Sequence, residues 1–106
     1  MSLPPTDPSL RAKAVNAAVA ARQQRAAARE ALKNGTWDIH RLIREAAENQ
    51  ALARMRVKDV VTAFPGLGPA RADALLVGLK IAPDRHVGTL GVRQQERLVA
   101  ALSARG

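Results

Sequence analysis

The stretch Phe64-Pro65-Gly66-Leu67-Gly68-Pro69-Ala70-Arg71 decides how this chain is interpreted, because it joins a Gly-x-Gly turn to the start of a helix. Glycine at positions 66 and 68 permits positive φ angles and a close approach of the backbone to another molecule. Proline at position 69 suits the first helical position, where its missing N–H would have had no partner. Free amides and the positive end of the helix dipole follow, and both favour a phosphate. The stretch therefore predicts a turn that binds phosphate.

Charges at the predicted helix starts indicate a second anion site. Helix starts usually favour Asp or Glu, because a negative charge complements the helix dipole. The first two predicted helices follow this rule with Asp7 and Asp38, whereas the last two carry Arg71 and Arg93 in their first turns. We interpret these two arginines as anion-binding residues. The alternative is that exposed arginines occur there by chance.

Composition limits the classes of partner. The chain has 106 residues, with 17 Lys and Arg against 9 Asp and Glu, which gives a net charge of +8. A small chain this basic favours polyanionic partners. Cysteine is absent from the sequence, which excludes disulfides and thiolate metal sites. No apolar run approaches the roughly 18 residues of a membrane span, and no secretory signal is evident, so we expect a cytoplasmic protein without a membrane partner.

The aromatic content indicates which nucleic acid is the better partner. Proteins that bind single strands stack bases on aromatic rings. Trp37 and Phe64 are the only aromatic residues in the sequence, and both fall at predicted core or helix-start positions. We therefore expect a duplex that is contacted through its phosphates.

The sequence predicts an all-α fold, because it shows neither strand-like alternation nor clusters of β-branched residues. A flexible tail over residues 1–7 precedes a long, alanine-rich helix, which Asp7 caps and Asn34-Gly35 ends. The second helix should follow Thr36. The predicted elements are a helix over 8–33, the helix after position 36, a short piece over 51–55, helices over 57–63 and 69–79, an irregular turn over 84–91, and a last helix over 92–103.

The long first helix carries two neighbouring stripes at about 100° per residue. One stripe is basic and consists of Arg11, Arg22, Arg25, Arg29 and Lys33. The other is an apolar seam that should pack on the rest of the protein and consists of Leu10, Ala14, Ala17, Ala21, Ala28 and Leu32. The basic stripe either contacts the ligand or is a solvated face that keeps the chain soluble; the sequence leaves both open.

The order of the C-terminal elements resembles the helix-two-turn-helix module over residues 57–102. Proteins with this module include the bacterial ribosomal protein of the small-subunit head and the formamidopyrimidine-type DNA glycosylases. Over residues 8–103 the chain is similar to the actinobacterial integration host factor family. The residues that carry this second resemblance, besides the basic first helix, are Met55-Arg56-Val57, Phe64-Pro65-Gly66-Leu67-Gly68, Ile81-Ala82-Pro83 and Leu90-Gly91-Val92-Arg93-Gln94.

This resemblance implies a monomeric, nucleoid-associated protein that binds double-stranded DNA with little sequence preference, bends or organises it, and assists a phage integrase in a nucleoprotein complex. It divides the chain into the tail over 1–7, a basic helix over 8–35 and a helical DNA-binding domain over 36–106. The DNA-binding residues that it implies lie in the first turn (Gly66, Leu67, Gly68, Ala70, Arg71), around the second turn (Arg85, His86, Arg93) and at the start of the module (Arg54, Arg56, Lys58). Relatives tend to have further arginines after the position of Pro83, whereas this chain has His86. We therefore expect weaker binding of phosphate at the second turn.

Catalysis is not expected. The sequence contains no cysteine or tyrosine and no paired-carboxylate, Ser-His-Asp or Walker-type arrangement, and it implies no cofactor. His40 and His86 are too few and too distant in sequence to suggest a metal site. Besides the duplex-DNA binder, two other classes stay open: an RNA- or ribosome-binding protein that uses the same module, and a helical interaction protein whose basic face only confers solubility.

Overall fold

A computed structural model describes residues 8–103, which contain helices and turns and no strand. The predicted all-α fold is confirmed. The tail predicted over residues 1–7, and with it the cap Asp7, lies outside the described residues. The helices are α1 (Pro8–Lys33), α2 (Ile39–Glu48), α3 (Gln50–Ala53), α4 (Val57–Ala63), α5 (Pro69–Leu79) and α6 (Val92–Ser103), with a 3-10 turn at Val87–Thr89.

The molecule measures 54 × 28 × 25 Å along its principal axes, and α1 extends beyond the elements on which it packs. Residues 9–20 are all exposed, whereas Ala28 and Leu32 are buried in the core. The predicted apolar seam is therefore correct only for the C-terminal part of α1. Its N-terminal members Leu10, Ala14 and Ala17 are exposed, because α1 continues past the elements on which it packs.

The second helix begins later than the sequence indicated. Asp38 is its N-cap, and the Asp38 carboxylate accepts a hydrogen bond from the Arg41 amide at 2.8 Å. Thr36 instead belongs to the preceding turn, where its amide donates to Asn34 Oδ1 at 3.0 Å. Gly35 in this turn has a φ of +82°, which only glycine adopts without strain. The turn ends α1 at the predicted place and moves the start of α2 to Ile39.

A single core joins all six helices of the described residues. Apolar side chains at helical spacing on α2, α4, α5 and α6 face one another and are almost fully excluded from solvent. The members with no measurable exposure are Leu42, Val57, Val60, Val61, Ala72, Leu76 and Leu98. Truncating one such leucine to alanine typically costs about 2–5 kcal/mol, so this core, to which α1 contributes Ala28 and Leu32, holds the two turns in place.

The second turn packs closely on α3. A Cβ atom added at Gly88 would lie 2.7 Å from the Ala53 Cβ and 3.2 Å from the Ala53 carbonyl oxygen. Real Cβ atoms essentially never come this close to another carbon. The segment 84–91, predicted as an irregular turn, contains the 3-10 turn Val87–Thr89. This turn can lie directly against the α3 backbone because Gly88 has no side chain.

Candidate nucleic-acid interface

The two glycines of the first turn have different conformations. Gly66 has a φ of +81°, in the positive region that glycine permits, and the Leu67 amide donates to the Phe64 carbonyl at 3.2 Å. Gly68 has a φ of −74° and a ψ of 174°, an extended conformation that any residue adopts, so this position does not use the positive φ that glycine permits. A Cβ atom at Gly68 would meet nothing within 4 Å. The fold therefore requires glycine at position 66 but not at position 68.

The start of α5 is open to a ligand. Gly68 is its N-cap, no side chain caps it, and its first turn contains no acidic residue. The Ala72 amide makes a hydrogen bond of 2.9 Å to the Gly68 carbonyl, so the amides of Ala70 and Arg71 precede the first bond of the helix. Arg71 Nη1 donates to the Gly66 carbonyl at 3.4 Å, which holds the exposed guanidinium beside the turn. Amides, dipole and guanidinium together favour an anion here.

Leu67 has a structural role in this turn. Its side chain is buried in the core, and its amide is used in the hydrogen bond to Phe64. The predicted site residues Gly66, Gly68, Ala70 and Arg71 are exposed around it. Leu67 therefore anchors the turn from below, while its neighbours form the accessible surface.

Backbone hydrogen bonds fasten the second turn to the start of α4. The Val57 amide donates to the Arg85 carbonyl at 2.8 Å, and the Val87 amide donates to the Met55 carbonyl at 2.9 Å. Arg56 and His86 face each other in an isolated antiparallel bridge between these bonds. The fold thus brings together two groups that are far apart in the sequence and that we predicted separately as site residues.

Side chains of the second turn are partly used within it. Arg85 Nη2 donates to the Thr89 carbonyl at 2.8 Å, and Thr89 Oγ1 donates to the His86 carbonyl at 2.7 Å. Both Arg85 and His86 are exposed. The Arg85 guanidinium keeps donors beyond the one that Thr89 occupies, so it can stabilise the turn and bind an anion together.

The remaining predicted cations occupy different surroundings. Arg93 is exposed in the first turn of α6, which contains no acidic residue, and the Gly91 amide before it donates to Gln94 Oε1 at 3.1 Å. Arg54 is exposed at the end of α3. The first turns of α5 and α6 contain no acidic residue, and the same holds for α1, α2 and α3.

Lys58 is engaged by an acid. Its Nζ atom lies 3.2 Å from Asp73 Oδ1 and 3.4 Å from Asp73 Oδ2, which links α4 to α5. Both side chains are partly exposed, so the pair contributes little stability. A phosphate approaching Lys58 would have to compete with the Asp73 carboxylate.

The positions of the α1 cations relative to the turns do not follow from the sequence. In the structure Arg29 and Lys33 of α1 line an open groove of about 770 Å³, whose other wall includes Gly66 and Gly68. The basic stripe on α1 indicated a candidate ligand-binding face, but helical spacing alone does not show which part of the protein such a stripe faces. Arg29 and Lys33 on α1, and Gly66 and Gly68 of the first turn, therefore border one concave surface.

Among the helices of residues 8–103, none combines the length and the apolar composition that crossing a membrane requires. Within the same residues, no three His, Cys, Asp or Glu side chains cluster so that they could hold a metal ion.

Comparison with known proteins identifies relatives of the whole chain. The S13-like H2TH domain family matches residues 32–102, which begins well before the module that we located over 57–102. The integration host factor of Streptomyces coelicolor is 36% identical over 94 residues, covering 89% of this chain and 88% of the relative. The integration host factor of Mycobacterium tuberculosis is 33% identical over 99 residues, covering 93% of this chain and 94% of the relative.

A solved structure gives the same fold. It is the structure of sIHF bound to an 8 bp palindromic DNA, and it superposes with a TM-score of 0.79 at 31% sequence identity. The match covers 82% of this chain and 98% of that one.

Proposed function

The chain belongs to the actinobacterial integration host factor family, and from this premise we propose that it binds double-stranded DNA as an architectural protein. The observation that carries the proposal is the uncapped start of α5, with Arg71 held at the turn. The similarity of this chain to a protein whose structure was solved with DNA supports duplex DNA as the ligand.

The geometry favours contacts to phosphates over contacts to bases. The first turn lies at the C-terminal end of α4 and the second turn is bonded to its N-terminal end. At 1.5 Å per residue, seven residues separate the two turns by about 10 Å. Two anion sites at this spacing suit a sugar–phosphate backbone, and phosphate contacts carry no base code.

The finer parts of the proposal follow from this mode of binding. The protein acts as a monomer in the nucleoid with little sequence preference, and it organises or bends DNA with its two separate contacts. It takes part in phage site-specific integration by shaping the DNA on which an integrase assembles. No catalytic step, cofactor or metal enters this proposal.

Removing Arg71 tests the phosphate contact at the first turn. We expect Arg71→Ala to weaken binding to every duplex alike and to flatten the slope of log K against log salt by about 0.9, the value for one phosphate contact. Binding of random duplexes by the variant and the wild type should be measured over a series of salt concentrations. Competition with duplex RNA in the same series tests the alternative ligand. An unchanged slope, or a preference for RNA, would contradict the proposal.

Removing Asp73 should have the opposite effect. We expect Asp73→Asn to tighten DNA binding severalfold, because it frees the Lys58 ammonium and removes a negative charge beside α5; the salt slope should steepen by up to about 0.9. The matched control is Glu45→Gln, which frees Arg41 from a similar pair of 3.2 Å on α2. Equal effects of the two variants would show that only the net charge matters and that Lys58 is not at the interface.

A further inference from the structure

One face of α1 carries four cations, Arg22, Arg25, Arg29 and Lys33, which we call the basic ridge. Two of them, Arg29 and Lys33, line the groove. At about 100° per residue they lie within an arc of about 80° on the helix. Arg25 is half-buried and the other three are exposed. Neither ion pair observed within residues 8–103, Arg41–Glu45 or Lys58–Asp73, involves a residue of the ridge, although the carboxylates of Glu30 and Asp59 line the groove with Arg29 and Lys33.

The direction of the ridge follows from the buried residues of α1. Ala28 and Leu32 face the core, and the centre of the ridge lies roughly 80° around the helix from them. The ridge therefore runs along the flank of the domain instead of pointing away from it. This direction brings Arg29 and Lys33 to the groove that Gly66 and Gly68 line from the other side.

The ridge is continuous with the first turn. Arg71 is held at the Gly66 carbonyl, and Gly66 shares the groove with Arg29 and Lys33. The start of α5 beside this groove has no side-chain cap and carries Arg71 in its first turn. The cations that line the groove, Arg29 and Lys33, lie on its α1 wall, and Arg71 lies beside the turn that forms the opposite wall. Such a cluster of positive charge raises the local concentration of an anionic ligand.

We propose that the basic ridge is the second wall of the DNA-binding groove and contacts the same duplex that the first turn holds. This inference rests on the proposed function and adds a site that the resemblance did not supply. From Arg22 to Lys33 the ridge spans about 17 Å at 1.5 Å per residue. At about 3.4 Å per base pair, it lengthens the contact with the duplex by roughly five base pairs.

The groove contains acidic as well as basic side chains, so the proposal predicts both substitutions that weaken DNA binding and substitutions that strengthen it. Glu30 and Asp59 line it together with Arg29 and Lys33. If a phosphate backbone occupies the groove, these carboxylates repel it. Removing Arg29 should then weaken binding, and removing its neighbour Glu30 should strengthen it.

The experiment measures the affinity of the full chain for a random duplex of about two helical turns, each about 10 base pairs, as a function of salt. We expect Arg29→Gln and Lys33→Gln each to flatten the salt slope by about 0.9. Glu30→Gln should tighten binding severalfold, an effect that loss of folding cannot produce. Lys13→Gln is the matched control, because Lys13 is an exposed cation on the same helix, about 160° around from the ridge centre.

The outcomes separate this inference from the proposed function. A clear loss for Arg29→Gln and Lys33→Gln, a gain for Glu30→Gln and little change for Lys13→Gln would support the ridge as a wall of the groove. Equal slopes for Arg29→Gln, Lys33→Gln and Lys13→Gln would overturn it. If Arg71→Ala alone then weakens binding, the first turn binds DNA without the ridge. If Arg71→Ala has no effect either, the proposed function fails as well.

Discussion

Replacing Gly88 with alanine will destabilise the protein, because the new Cβ atom would lie 2.7 Å from the Ala53 Cβ and 3.2 Å from the Ala53 carbonyl oxygen. Forcing one extra carbon into close-packed surroundings typically costs about 1–3 kcal/mol. In a domain of this size that corresponds to a fall of roughly 5–15 °C in Tm. Thermal unfolding followed by circular dichroism measures it.

Gly78→Ala is the matched control for this prediction. A Cβ atom at Gly78, on the exposed side of α5, would meet nothing within 4 Å. Alanine inside a helix is favoured over glycine by up to about 1 kcal/mol, so Tm should rise. A second variant, Ala53→Gly combined with Gly88→Ala, removes the nearest clashing atom and should recover part of the loss. If Gly88→Ala unfolds at the wild-type temperature, the close contact between the second turn and α3 is wrong.

Gly68→Val will reduce DNA affinity about tenfold to a hundredfold while the protein stays folded. The side chain would occupy space that is empty in the free protein, where we propose that a phosphate reaches the first amides of α5. A hydrogen bond to a charged group contributes about 1.5–3 kcal/mol, and each 1.4 kcal/mol is about a factor of ten in affinity. Valine is a poorer N-cap than glycine, so we also expect to lose about 1 kcal/mol of stability.

The control for this second prediction is Gly78→Val, the same change at the other end of α5. Gly78 is exposed and has no neighbour within 4 Å of an added Cβ. Titration of a random duplex with both variants, after thermal melting has shown that they are folded, separates loss of binding from loss of structure. Wild-type affinity in a folded Gly68→Val protein would show that no phosphate approaches this turn.

Gly88 illustrates which part of the fold could not be predicted from the sequence. Proline, glycine and alanine signals located α1, α4, α5 and α6 correctly, because these signals act on the local backbone. The need for glycine at position 88 could not be predicted from local sequence. It arises from the contact with Ala53, which is 35 residues earlier in the chain. Such a requirement depends on packing and is invisible to local patterns.

The candidate site shows the same division. The turn, the exposed arginines and the missing acids at two helix starts follow from residue types, and the structure has them as predicted. The pairing of Lys58 with Asp73 and the position of Arg29 on the same groove as Gly68 depend on how helices pack against one another. Helical spacing placed the ridge cations on one face but left open whether that face meets the groove or solvent.

The N-terminal half of α1 is maintained by its own backbone and its alanine content, since residues 9–20 are exposed along their whole length. Isolated helices of this length are marginal in water even when alanine-rich. One continuous helix should therefore contain two classes of amide proton: those around Ala28 and Leu32 exchange with solvent only when the domain opens, and those before Ala21 exchange through local fraying. The projecting segment can then lose and regain its helical form without disturbing the remainder of the molecule.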